Sequence, residues 1–144
     1  MADILQDLPI KADADRVFDA ISAPDGLNRW WTQYSAGKPI EGAEYELWFG
    51  PEHEWRARVI RAERPSRFEL ELVAADEDWI GTRVGFELES KDDGSTLLRF
   101  HHTGWPRANE HYRVSCHCWA MYLRILRRYL EHNEIVPYEE RLDV

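Results

Sequence analysis

The 144 residues carry 44% hydrophobic and 12% aromatic side chains with seven tryptophans, enough apolar material for one ordinary domain that folds without metal or disulfide, and too much for a disordered chain. The formal charge is −9, and the 18 Lys and Arg are scattered among 27 Asp and Glu with no basic run. That field repels phosphate backbones and anionic surfaces, which sets aside a nucleic-acid partner, and no segment reaches the ~18 apolar residues of a membrane span.

Residues 3–10 predict a first strand, held to a sheet edge by Pro9. Asp13 or Asp15 is placed to cap a short helix with the apolar stripe Val17, Phe18 and Ile21, which Pro24 stops. A second turn or short helix, Asp25 to Trp31, follows. Alternation with period two then runs through residues 43–49, 53–64, 67–73, 82–89 and 95–103, with the turn Lys91-Asp-Asp-Gly making a hairpin of the last two segments. One face of this sheet reads apolar, through Tyr45, Leu47, Phe68, Leu70, Phe86, Leu88, Leu98 and Phe100. The other bears Glu44, Glu46, Arg56, Arg58, Glu69, Glu71, Arg83, Glu87 and Arg99, which are spaced to pair across strands in water.

An apolar sheet face needs a cover, and residues 109–132 supply it. Tyr112, Cys116, Trp119, Leu123, Leu126 and Leu130 recur at helical spacing. Cys118, Met121, Tyr122, Ile125 and Tyr129 widen the apolar arc beyond what one sheet buries, so the tail 134–144 or a second subunit is expected over that flank. The fold class is therefore α+β: a curved antiparallel sheet of about six strands around a long C-terminal helix, with two short helices after the first strand. Residues 1–133 form the expected single domain and 134–144 its tail.

Two local patterns give this order a family likeness. They are Ala23-Pro-Asp-Gly-Leu-Asn-Arg-Trp-Trp, and Leu97-Leu-Arg-Phe-His-His-Thr-Gly-Trp leading into the helix with Trp119 and Leu123. Over about residues 3–133 the chain resembles the helix-grip (START-like, SRPBCC) superfamily, in the branch named for activators of the ninety-kilodalton heat-shock protein's ATPase. Where that branch usually has Gly-Trp in the final helix, this chain has Cys118-Trp119. The resemblance implies a cavity between sheet and helix.

Cys116-His117-Cys118 invites a metal, with His53, His101, His102 and His111 as further donors. Helix residues two apart diverge by roughly 160°, so the two thiols do not grip one ion, and neither metal nor cofactor is expected. No Gly-x-Ser-x-Gly elbow or phosphate-cradling glycine loop occurs. His102 shares its phase with Leu98 and Phe100, so it points inward and needs hydrogen-bond partners, with tyrosine or backbone expected in that role. Tryptophans, Trp79 among them, offer flat walls with one N–H donor each. The expected ligand contacts are Trp30, Trp31, Trp55, Phe68, Phe86, Leu98, Phe100, His102, Trp105 and Trp119.

Three readings of function follow. The first is a noncatalytic binder or carrier of a small hydrophobic or aromatic molecule, cytoplasmic because the start of the chain has no signal-peptide pattern. Its partners are that molecule and a second copy meeting it through the flank of the C-terminal helix or the tail. The second reading is a polyketide cyclase- or hydrolase-like enzyme using His102. The third, which the family name implies, is a co-chaperone stimulating a heat-shock ATPase.

Overall fold

Alternating burial makes a continuous antiparallel sheet out of the middle of this chain, as seen in a computed structural model that describes residues 2–144. Met1, the first residue of the expected domain, lies outside the described residues. The strands are β1 (Ala2–Ile10), β2 (Tyr34–Ala36), β3 (Glu44–Trp48), β4 (Glu54–Glu63), β5 (Arg67–Ala74), β6 (Arg83–Ser90) and β7 (Thr96–Trp105), in spatial order β1-β7-β6-β5-β4-β3-β2. The sheet has seven strands rather than about six. The addition is β2, whose three residues are too few to show a period.

Register sorts the side chains cleanly. On the inner face Phe68, Phe86 and Phe100 stand in one row, and Leu70, Val84, His102 and Ile4 in the next. On the outer face the charges alternate along the rows. Glu44, Arg58, Glu71 and Arg83 oppose one another in turn, as do Glu63, Arg67, Glu87, Arg99 and Asp7. Between these rows Gly85 pairs in register with Glu69 and His101, so no bulge or turn calls for a glycine there. The reason is a close approach instead: the His101 ring lies over Gly85 and reaches Glu69 at 2.5 Å, so a methyl group at Gly85 would overlap the imidazole.

Three helices close the inner face: α1 (Ala14–Ser22), α2 (Pro24–Leu27) and α3 (Glu110–His132). Asp13 caps α1 by accepting from the Arg16 amide at 2.9 Å, and Asn109 caps α3 by accepting from Tyr112 at 3.0 Å. Asn133 ends α3 in the left-handed conformation that closes many helices. The wide apolar arc of α3 is covered from two sides within this chain. Met121 and Ile125 are buried, and Arg29, just after α2, lies over the Tyr129 ring at 5.4 Å. The tail runs back along α3, burying Val136 and Arg141. Arg141 donates to the carbonyls of Asn28 (2.7 Å), Thr32 (3.2 Å) and Val136 (3.2 Å), and Tyr138 donates to the Phe49 carbonyl at 3.1 Å. No helix among the described residues is long and apolar enough to cross a membrane.

Candidate functional site

His102 sits fully buried on β7, facing α3, at the centre of a hydrogen-bond chain. The Thr82 hydroxyl donates its one proton to the Trp79 carbonyl at 2.6 Å, so it accepts from His102 Nε2 at 2.8 Å. Indole is a donor only, so Trp119 Nε1 donates to His102 Nδ1 at 3.0 Å. These partners fix a neutral imidazole protonated on Nε2, with both nitrogens occupied. Burial first, and then the charges of His101 and His111, push its pKa down to about 3. The partners are thus a threonine and an indole rather than the expected tyrosine or backbone. Thr82 opens the alternating segment 82–89 in the inward phase of Val84, Phe86 and Leu88, which is the signal that points to it.

Around this chain the aromatic rings form a closed circuit. Trp31 meets Phe49 (5.5 Å between centroids), Phe49 meets Trp55 (4.8 Å), Trp55 meets Trp79 (5.0 Å), Trp79 meets Trp119 (5.8 Å), and Trp119 returns to Trp31 (5.2 Å). Beside it, Trp105 packs on His102 at 4.9 Å and Phe100 on Trp119 at 4.5 Å. Of the expected contacts, Trp31, Trp55, Phe100, His102, Trp105 and Trp119 come together here. Trp30 and Phe86 stand one ring farther out, joined through Trp31 and Phe100. Phe68 belongs to a separate group with Phe18 and Tyr45, and Leu98 lies in the sheet row of Leu8 and Leu88. Trp79, expected as a flat wall though not among the named contacts, and Phe49, which sequence reasoning omits, both sit in the circuit.

Two polar atoms in this region stand apart. The indole N–H groups of Trp79 and Trp105 are buried with no hydrogen-bond partner among the described residues. The turn carrying Trp79 is itself tied to the start of α3, because Asp78 accepts from Asn109 Nδ2 at 3.2 Å and lies 3.1 Å from His111 Nδ1. Asn109 and then His111 hold the Asp78 carboxyl below its ordinary pKa.

The remaining chemistry is dispersed. Cys116 and Cys118 are free and half-buried, and burial pushes the Cys118 thiol up, away from reactivity. No group of three or more His, Cys, Asp or Glu among the described residues is placed to hold a metal ion. Open clefts lie at the surface, one of about 530 Å³ on the β2–β4 side between Tyr34, Trp48, Glu54 and Arg56, another beside Asn109, Arg113 and His117.

A family model for activator of Hsp90 ATPase homolog 1-like protein matches residues 11–131. Among solved structures, the Aha1 dimer from Colwellia psychrerythraea superposes with a TM-score of 0.83 at 26% identity, covering 93% of this chain and 99% of that one. CalU16 from Micromonospora echinospora gives 0.74 at 22% identity, covering 96% and 83%. DynU16, a protein of the dynemicin biosynthetic locus, gives 0.75 at 20% identity, covering 92% of this chain and 48% of its own. No curated protein sequence matches the chain.

Proposed function

We propose that this chain, which belongs to the activator of Hsp90 ATPase homolog 1-like family, is a noncatalytic cytoplasmic binder of a small, flat, apolar molecule between sheet and α3. The observation that carries this reading is the aromatic circuit of Trp31, Phe49, Trp55, Trp79 and Trp119. Large planar side chains gathered at the end of a sheet–helix interface give a ligand flat surfaces at little cost in side-chain entropy. Entry is by way of Trp55 and Phe49, the half-buried members, with the turn bearing Trp79 moving outward. A ligand ring then replaces ring–ring contacts that already exist.

His102 fits this role better than a catalytic one. A general base needs a free lone pair near neutral pKa, whereas both His102 nitrogens are engaged and its pKa lies about 3.

Titration of the intact protein with a panel of flat aromatic compounds, followed by tryptophan emission and equilibrium dialysis, should give saturable binding at micromolar concentrations. Trp55→Ala should weaken it about tenfold, the order of one stacking contact with its share of burial. Failure of every compound to bind would leave the carrier reading without support.

We also propose that two copies associate through the tail, where Ile135, Leu142 and Val144 are exposed. The Colwellia relative is described as a dimer. Light scattering on the wild type and on Leu142→Glu tests this: a dimer that becomes a monomer supports it, and a monomeric wild type refutes it.

A further inference from the structure

We infer, building on the ligand reading above, that the interior site selects a neutral carbonyl-bearing aromatic ligand, whose oxygen accepts from the indole N–H groups of Trp79 and Trp105. A buried donor without an acceptor costs free energy, so each one in a native fold calls for an explanation. Elsewhere in this protein buried donors are matched with care. Trp30 donates to the Ala20 carbonyl at 2.9 Å, Tyr45 to the Ser22 carbonyl at 2.6 Å, Thr96 to the Ala12 carbonyl at 2.7 Å, and Trp119 to His102 at 3.0 Å. The two exceptions are neighbours. Their ring centroids lie 6.0 Å apart, both rings rest on His102 (4.4 and 4.9 Å), and Trp79 is a member of the aromatic circuit.

The chemistry of the complement follows from what the neighbourhood lacks. Indole donates and never accepts. His102, against which both rings rest, has its lone pair taken by Trp119 and its proton given to Thr82. Tyr112, which packs on Trp105 at 5.5 Å, spends its hydroxyl on the Asp3 carbonyl at 2.7 Å. A hydroxyl or amine on the ligand would thus find no acceptor in His102 or Tyr112, and His111, which packs on both indoles at 6.5 and 5.4 Å, is engaged through Nδ1 with Asp78 at 3.1 Å. A carbonyl oxygen, with two lone pairs, offers one to each indole. A carboxylate would also accept, but burying its charge beside two neutral indoles and a neutral imidazole costs far more than burying a ketone.

The test compares fluorenone with fluorene, which share a planar frame and differ by the carbonyl, using equilibrium dialysis against the intact protein. The wild type should bind fluorenone about tenfold more tightly, and the carbonyl stretch of bound fluorenone should move to lower wavenumber. Trp79→Phe and Trp105→Phe, which keep a ring and remove the donor, should each erode the preference by about fivefold to tenfold, the worth of one neutral hydrogen bond. Fluorene affinity in those variants should fall only by the lost ring area, so the ratio of the two affinities, and not either one alone, reads the hydrogen bond. If a variant does not fold, the wild-type preference and the carbonyl stretch decide the matter. Equal binding of the two compounds by the wild type, or a preference that survives both substitutions, would overturn the inference and leave the ligand reading standing. Binding of neither would remove both.

Discussion

The half of the interior built on α1 and α2 and the half built around Trp79 and the first turns of α3 are both buried, yet they are finished differently. In the first, Ser22, Trp30, Tyr45 and Thr96 all donate to backbone carbonyls of nearby loops and helix ends. Tyr45 is so enclosed that burial pushes its phenol well above its ordinary pKa. In the second, aromatic rings are more numerous, a histidine is held neutral, and two indole donors have no partner among the described residues. Burial alone does not distinguish the two halves; completeness of hydrogen bonding does.

The contrast breaks most visibly at Trp30. Trp30→Ala should cost about 3–5 kcal/mol, since it empties a fully buried ring position and orphans a carbonyl; urea denaturation measures it, and a loss under 1 kcal/mol would mean this half is not the rigid one. Next is the tail. Arg141→Met removes a buried guanidinium from three carbonyls and should cost about 1.5–3 kcal/mol, with deletion of residues 134–144 costing at least as much. A truncated protein that melts like the intact chain would show that the tail covers nothing of consequence.

His102 gives a smaller, pH-dependent effect. Its folded pKa of about 3 lies below the ordinary 6.5, so between these values the unfolded chain binds a proton that the native state refuses. Stability therefore falls as pH falls through that window, by about 1.5 kcal/mol from pH 6.5 to 5. His102→Gln should flatten this slope in the difference between the two proteins, and parallel curves would show that the imidazole is not buried neutral. Least of all should be Trp79→Phe and Trp105→Phe, within about 1 kcal/mol of wild type, because each removes an unpaired donor along with some packing. A cost as large as that of Trp30→Ala would erase the distinction between the two halves.

The strands, the long helix and the inward phase of His102 were legible because each rests on a period that side chains repeat. What escaped lies where no period operates. β2 has three residues; Trp79, a flat wall but not an expected contact, sits on a 3-10 turn; and Arg141 is buried in a tail whose other charges are exposed. Thr82 keeps the inward phase of segment 82–89, but its pairing with His102, like that of Trp119 from a helix 17 residues downstream, is a contact that only tertiary structure names. Of the expected contacts, Phe68 and Leu98 share the inner face with the cluster but not its end, a distinction that alternation does not encode.

The alternating charges of the outer face bear on how the chain finds its pairing. Hydrophobic alternation penalises a strand that slips by one residue, because every side chain then changes face, but it is blind to a slip of two. Between β4 and β5 the native register sets Arg61 against Glu69 and Glu63 against Arg67. Displacement by two residues one way brings Arg61 opposite Arg67, and the other way brings Glu63 opposite Glu69, and like charges directly opposed are destabilising. These charges set opposite one another by register, individually worth little to the finished fold, thus weigh against misalignments that the core would accept.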